Sequence, residues 1–478
     1  MELKTTEQRY REFLDTLPLS TLRILGRQSG VAHASSNNKS VLVDELIGIF
    51  TGKLQPVPRS NRGAPVKQTY IDPSIFEKLE QIKLLGKTDE QEREAIFEVA
   101  SGITEPAPFD SPVYTGILEI TQGGYGFLRA HNCQPSSTGE DIFIPAPLIH
   151  ALKLREGDFV ACTAKLRQKN DSAAISELLS VNGLPIGKYE SRPQFDALTA
   201  TYPTEKITLS DQYPDPALRI LDLFVPVGKG QRALIIAPPK AGKTTLLKKI
   251  ASEISENHRD MATIVLLIDE RPEEVTDFTE SVKGAQVISS TFDEGAEHHL
   301  RAARLALEHA KRVAELGKDV VILLDSLTKL TRACNFLTDN SGKTLSGGLD
   351  AAAFAEPKRF FGTARNTKEA GSITILATVL VETGSRMDDI IYEEFKGTGN
   401  CDIVLSSELA ERRIFPAIDI RRSGTRREEL LLSEEELIAS RSLRERGIST
   451  AAILDVMKQL DNVQLIARQS DLIKEGKR

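Results

Sequence analysis

The sequence predicts a multidomain protein of mixed α+β and α/β class: an N-terminal helical module, a small β-barrel, and a large α/β domain with a mostly parallel sheet. Three observations lead there. Apolar positions recur at helical spacing across residues 10–50, short alternating runs punctuated by glycine begin at Val113, and apolar runs alternate with helical patterns from Ala233 onward. The length of 478 residues, 40% of them apolar, exceeds one ordinary core.

In chain order, residues 1–51 form the helical module, with Leu14, Leu17, Leu22 and Leu25, then Leu42, Leu46, Ile47 and Phe50, on either side of a Ser/Asn-rich break at 35–40. Residues 52–110 read as a linker or insertion, partly helical. Pro56, Pro58 and Pro65 accompany Arg59 and Arg62 without periodicity, and Asp72-Pro73 then caps a helix bearing Ile75, Leu79, Ile82 and Leu85. Residues 111–185 carry the barrel runs, at 116–120, 124–129, 141–145 and 158–164. A proline-rich connector, 186–225, holds Pro193, Pro203, Pro214 and Pro216. The α/β domain, 226–478, has strands predicted at 233–236, 263–268, 320–324, 373–379 and 403–405, with a helix carrying Leu300, Ala303, Leu307, Ala310 and Ala314.

Strand 233–236 runs into Ala237-Pro-Pro-Lys240-Ala241-Gly242-Lys243-Thr244-Thr245 and then an amphipathic stretch with Leu246, Leu247, Ile250, Ala251 and Ile254. Strand, glycine-bearing loop and helix N-terminus make a phosphate cradle. Gly242 allows backbone N–H groups to approach phosphate oxygens, Lys243 brings a charge to the β/γ-phosphates, and the Thr244 hydroxyl suits Mg²⁺. Two further strands end in acids, Asp325 and Asp269-Glu270-Arg271. Asp325 is expected in the Mg²⁺ shell and Glu270 beside the attacking water, so the expected cofactors are ATP and Mg²⁺.

In the barrel, Tyr125 and Phe127 alternate around Gly126, which places both rings on one strand face with Arg129 beside them and Phe143 on the next strand. Such rings are either barrel core or a platform for bases. The Gly-aromatic-Gly-aromatic pattern keeps that surface flat and favours stacking, giving a candidate RNA surface of Gly124, Tyr125, Gly126, Phe127, Leu128, Arg129, Asp141, Ile142 and Phe143. A net charge of −7 argues against attraction over the whole surface, so nucleic acid must be held by local patches of this kind. The four cysteines (Cys133, Cys162, Cys334, Cys401) show no paired spacing and read as buried thiols. The N-terminus has no basic-then-apolar signal, and the run 373–381 is too short to span a membrane, so a cytoplasmic protein without membrane partners is expected.

Longer strings carry a specific resemblance: the loop at 237–244, Leu-Ile-Asp-Glu-Arg-Pro-Glu-Glu-Val-Thr ending at Thr276, Ser-Thr-Phe-Asp-Glu, Tyr-Glu-Glu-Phe-Lys-Gly-Thr-Gly-Asn, Phe-Pro-Ala-Ile-Asp and Arg-Ser-Gly-Thr-Arg. With the order helical module, cold-shock/OB-like barrel, connector and ATPase, the chain resembles the Rho family of transcription termination factors over 113–435, and more loosely over 10–50. The resemblance implies a homohexameric ring of RecA-like ATPase domains that loads on single-stranded nascent RNA. It also implies 5′-to-3′ translocation that dislodges RNA polymerase, with elongation factors as further partners. By motif, it implies that Lys240, Lys243 and Thr244 clamp ATP and Mg²⁺, with Ala241, Gly242 and Thr245 in the same loop, and that Glu270 activates water. Arg271 would link hydrolysis to ring motion, Arg426 would be an arginine finger for the neighbouring subunit, and Phe415 would stack on adenine. The loop Gly228-Lys229-Gly230-Gln231-Arg232-Ala233 resembles one that lies beside the nucleotide in the family.

Ring-interior RNA contacts are implied for Lys343, Thr344, Leu345, Ser346, Gly347, Gly348, Leu349, Asp350 and Arg386; glycine-rich cationic loops suit phosphate tracking on chemical grounds as well. Three departures stand out. Ala173-Ala174-Ile175 occupies the place of a Glu-Arg-Tyr cluster, which predicts a barrel that is weaker and less selective for pyrimidines. Lys329 and Arg386 stand where many members have Arg and Lys, and Cys334 replaces a common Tyr. A rotary-synthase subunit would lack the aromatic barrel and the Lys343 loop, and a non-enzymatic binder would have lost Lys243, Thr244, Glu270 or Asp325.

Overall fold

The computed structural model describes residues 6–31, 34, 36–51, 53–54, 113–129, 141–166, 173–185, 188–189, 191–210, 215–338, 346–462 and 464–466. The predicted linker prolines, Arg59, Arg62, the helix after Asp72, Cys133, Pro214, Lys343, Thr344 and Leu345 lie outside them. Two units emerge, 1–104 and 105–478. In the first, α1 (Thr6–Thr16), α2 (Leu19–Ser29) and α3 (Lys39–Phe50) bury Tyr10, Leu14, Leu22, Leu25, Leu42 and Leu46 together, the faces that the spacing predicts.

The second unit begins with a closed barrel of β1 (Val113–Ile120), β2 (Gly126–Arg129), β3 (Ile142–Ile144), β4 (Phe159–Leu166) and β5 (Ala173–Val181), in the order β1-β2-β3-β5-β4, with α4 (Ala146–Ala151) after β3. Strand β5 was not among the runs read from the sequence, yet it closes the barrel. Its Ala174 and Ile175 are fully buried, so the stretch that departs from the family pattern presents neither ring nor charge.

After the short β6 (Ala200–Thr201) come α5 (Pro216–Phe224), β7 (Arg232–Ala237), α6 (Lys243–Asn257), β8 (Ala262–Glu270), α7 (Pro272–Ser281), β9 (Gln286–Thr291) and α8 (Ala296–Ala314). Then follow β10 (Val320–Asp325), α9 (Leu327–Leu337), α10 (Ala355–Gly362), β11 (Asn366–Thr367), β12 (Ile373–Leu380), α11 (Arg386–Lys396) and β13 (Cys401–Val404). The last elements are α12 (Ser407–Glu411), β14 (Gly424–Thr425), α13 (Glu434–Glu445) and α14 (Thr450–Met457). The main sheet runs β14-β13-β7-β12-β10-β8-β9 and is parallel except at β14.

The central parallel strands β7, β8, β10 and β12 are apolar on both faces because each face meets its own layer of helices. Ala233, Ile235, Val265, Leu267, Val321 and Leu323 pack with α5, α6 and α14, while Leu234, Ile236, Ile264, Leu266, Ile322 and Leu324 pack with α8 to α11. Helix α5 corrects the reading of 186–225 as connector alone. Asp215 accepts from the Ala217 N–H, Pro216 occupies the first turn, and the helix is buried along its whole length.

The barrel rests on α8. Ile117 joins the core beneath that helix, Glu119 takes Arg301 at 2.5 and 2.6 Å, and the Gly157 carbonyl accepts from His309 Nδ1 at 2.8 Å. At Gly157, φ is +88° and a Cβ would meet the Glu308 carbonyl carbon at 2.3 Å. Gly157→Ala is therefore expected to cost about 2 kcal/mol or more, through left-handed strain plus backbone overlap. Calorimetry of the full chain should show the transition lowered or split. An unchanged profile would mean that the turn does not bear on α8.

Candidate active site and nucleic-acid interface

Parallel strands deliver their C-terminal ends to one edge, where three sequence-predicted groups converge. From β7 the chain turns through Lys240, at φ +63°, and Gly242, at φ +87°, into α6, which opens with Lys243 and Thr244. The left-handed residue at the helix start suits glycine. Strand β10 ends in Asp325, only 1% exposed, and β8 ends in Glu270, 6% exposed. Lys243 Nζ donates to Asp325 Oδ1 at 2.5 Å and lies 3.5 Å from Glu270 Oε1. Thr378 Oγ1 donates to the same Asp325 oxygen at 2.8 Å, and Lys329 Nζ donates to Glu270 Oε1 and to the Asp269 carbonyl, each at 2.7 Å.

Burial, and then Asp325, raise the pKa of Glu270 above the ordinary carboxylate value, against the pull of Lys243 and Lys329. For Lys243, burial opposes the charge, but Asp325 and Glu270 outweigh it and hold the pKa above normal. Thr244 follows Lys243 in the first turn of α6 and Asp325 faces Lys243, and a hydroxyl with a carboxylate is a hard oxygen donor set that fits Mg²⁺. Arg271 is exposed at the start of α7 and shares a cleft with Asp269, Glu270, Glu273, Phe292 and Lys329. Phe415, 49% exposed, borders a cavity of about 370 Å³ with Lys240, Ala241, Gly242 and Thr245.

The loop 228–233 is placed elsewhere. It enters β7 at the end opposite the phosphate loop, roughly 20 Å away for a strand of this length. Gly228, Lys229, Gly230, Gln231, Arg232 and Ala233 thus do not adjoin the phosphate loop of their own chain. Lys229 pairs with Glu205 at 2.7 Å and Asp319 at 2.9 Å, and Gly230 lies against the Arg365–Asn366 backbone. Ala233 is buried in the core. Gln231 and Arg232 instead line a cavity of about 290 Å³ with Tyr202, Asn400, Arg426 and Arg427. The Asn400 carboxamide oxygen accepts from Gln231 Nε2 at 2.7 Å and the Arg232 N–H at 2.8 Å, and its carbonyl accepts from the Arg426 N–H at 2.9 Å. Burial, then Arg365 and Arg426, lower the pKa of Arg232.

On the barrel, the rings of Tyr125, Phe127 and Phe143 form a mutual cluster with centroids 5.6–5.8 Å apart. Tyr125 is exposed and the other two partly so, as a stacking face requires. Three expectations are corrected. Leu128 and Ile142 are barrel core, at 5% and 3% exposure. Gly126 is buried, since a Cβ there would meet Leu118 at 2.6 Å. Arg129 is no free cation: its guanidinium is held by Glu119 at 2.6 Å and by Asp141, with 5.2 Å to the Phe127 centroid. Gly124 supplies the turn before β2, at φ +79°.

In the other predicted RNA segment, Gly347 and Gly348 are left-handed at φ +78° and +80°, and Gly347 lies against Met387, beside the exposed Arg386. Leu349 is fully buried, and Asp350, 6% exposed, caps Ala352, so both support the segment rather than face outward. Of Ser346 only the backbone is described. Sequence reasoning missed Lys329 and Thr378 as neighbours of the acids. The signal for Lys329 was its place in the first turn of the helix that follows Asp325. Cys162, Cys334 and Cys401 are buried thiols, each pushed up to about 12 by burial. Among the described residues no helix is long and apolar enough to cross a membrane.

A phosphate loop facing two strand-end acids on a parallel sheet, joined to a barrel with an aromatic face, defines a nucleotide-hydrolysing ATPase with a nucleic-acid-binding domain. Residues 217–425 match the ATP synthase alpha/beta family, nucleotide-binding domain, and residues 114–186 match the Rho termination factor, RNA-binding domain. The transcription termination factor Rho of Bacillus subtilis is 51% identical over 374 residues, covering 77% of this chain and 86% of that one. The Rho proteins of Aquifex aeolicus (52%, covering 67% and 75%) and Thermotoga maritima (47%, covering 76% and 84%) are similarly alike. The chain belongs to the transcription termination factor Rho family.

The ring cluster predicts that Phe127→Ala weakens RNA binding by about 1–3 kcal/mol. Arg129→Met should leave the salt dependence of binding unchanged, because its charge is already compensated, while lowering barrel stability. Filter binding across a salt series reads both, and a shallower salt slope in Arg129→Met would show that the guanidinium contacts phosphate.

Proposed function

We propose that this chain works as a homohexameric, RNA-driven ATPase that loads on single-stranded nascent RNA, moves 5′ to 3′ along it and terminates transcription by dislodging RNA polymerase. In this reading the barrel rings capture RNA bases, and Gly347, Gly348 and Arg386, with Lys343, Thr344 and Leu345, follow the strand inside the ring. RNA polymerase and elongation factors are the partners, in the cytoplasm. The observation that carries the enzymatic part is the Lys243 ammonium between Asp325 and Glu270 at a helix N-terminus.

ATP lies along the loop from Lys240 to Thr245, with its adenine against Phe415. Thr244 and Asp325 hold Mg²⁺, which when bound neutralises phosphate charge. Lys243 transfers its hydrogen bonds from the carboxylates to phosphate oxygens, and Glu270 then accepts the proton of the attacking water. Arg271 adjoins Glu270 and transmits its state to the neighbouring subunit. Arg426 lies with Arg232 at the opposite end of the sheet, so it serves a neighbour's nucleotide. That geometry supports reading 228–233 as the part of the site offered in trans.

Two outcomes test this. Glu270 must be ionised to accept a proton, and its pKa is raised, so hydrolysis is lost as pH falls through a value above the ordinary carboxylate range. Steady-state rates in Glu270→Gln should be reduced by about 10²-fold or more and lack that acid limb; an acid limb retained in the variant would remove Glu270 from the role of base. Lys243→Ala and Arg426→Ala subunits should each be inactive alone. Mixed, they should regain part of the activity, since some interfaces then hold an intact loop and an intact finger. A mixture as inactive as its parents would contradict the trans assignment.

A further inference from the structure

We infer that Phe336 is an RNA-base stacking residue of the ring interior, mounted on the helix whose Lys329 bonds the catalytic carboxylate of Glu270. The inference rests on the reading of the 346–350 and Arg386 segments as an RNA path, and extends it to a side chain outside both. Phe336 is 81% exposed, the highest value of any large apolar side chain among the described residues. It occupies the last turn of α9, where Asn335 accepts from the Asp350 N–H at 2.8 Å and donates to the Gly348 carbonyl at 3.2 Å. Asn335, the residue before Phe336, thus ties this turn of α9 to the left-handed glycine pair.

Helical spacing places Lys329, Arg332 and Phe336 on one stripe of α9. Arg332 makes a two-pronged bond to Asp388, at 2.6–2.9 Å, in the first turn of α11, the helix that Arg386 opens. An exposed ring on a turn bonded to glycine backbone, which itself lies against the helix opened by the exposed Arg386, is a combination that holds single strands: a π-face for any base and a cation for the phosphates, the charge of Arg332 being compensated by Asp388. Membrane contact does not fit, since the exposed apolar surface is limited to Phe336 and its neighbour Leu337, 37% exposed, beside charged groups. At the other end of the stripe, Lys329 bonds Glu270 and the Asp269 carbonyl. A base seated on Phe336 therefore bears on a rigid rod whose first turn touches the hydrolytic carboxylate, a direct mechanical route from RNA to Glu270.

The test uses full-length protein with Phe336→Ala, Phe336→Leu and Phe336→Tyr, titrating an RNA homopolymer while following ATP hydrolysis. Filter binding without ATP reports the barrel, and sedimentation reports the ring. The expected result is an RNA concentration for half-activation raised about tenfold in the Ala and Leu variants and near normal in Tyr, with barrel affinity and ring size unchanged. Wild-type activation in Phe336→Ala overturns the inference, as does recovery by Leu, which would mean simple apolar packing. Loss of the ring would reassign Phe336 to a subunit contact. A wild-type protein indifferent to RNA would overturn the path itself, and is distinguishable because it is read before any variant.

Discussion

The structure turns on one buried cation. Lys243 carries its charge at 16% side-chain exposure, a position tolerable only because Asp325 and Glu270 face it. Those carboxylates in turn are buried, at 1% and 6% exposure, and Lys243 and Lys329 are the cations that face them. Three strands and two helices must meet at one edge to assemble this set, and a parallel sheet is the arrangement that brings them there. The apolar runs that fill both faces of β7, β8, β10 and β12 are thus the scaffold of a charge cluster.

The sheet also separates what it does not bring together. Its C-terminal edge holds the phosphate loop, while Arg232, Asn400 and Arg426 gather at the opposite end of β7. Arg426 is too far from Lys243 for the two to serve one nucleotide within a chain. In a ring, the same separation gives each subunit a front and a back, and a site is complete where they meet. The barrel is tied to this body through α8, by Glu119 to Arg301 and by Gly157 against His309, so barrel and sheet share one helix.

Much of this was legible in the residues. The phosphate loop, Asp325 and Glu270 could be read because strand, glycine and acid occur in local order, and their spacing encodes the contact. The three-ring cluster followed from period-two alternation around Gly126. Strand β9 escaped because Gln286-Val-Ile-Ser-Ser-Thr carries a polar half suited to a sheet edge, and β5 because its alanines gave little contrast. Helix α5 was hidden among prolines, although Asp215 before Pro216 is a capping signal. Partners distant in sequence were not legible at all: nothing near Arg129 announces Glu119 or Asp141, and nothing near residue 228 reveals that its loop lies with Arg426 rather than with Lys243.

The central claim is that RNA drives this nucleotide site. The most direct measurement is the rate of ATP hydrolysis by the purified full-length protein with and without single-stranded RNA homopolymers. The account predicts slow turnover alone and strong stimulation by RNA, with only modest preference for pyrimidine polymers because Ala173, Ala174 and Ile175 provide no second base platform. Equal turnover with and without RNA would contradict it.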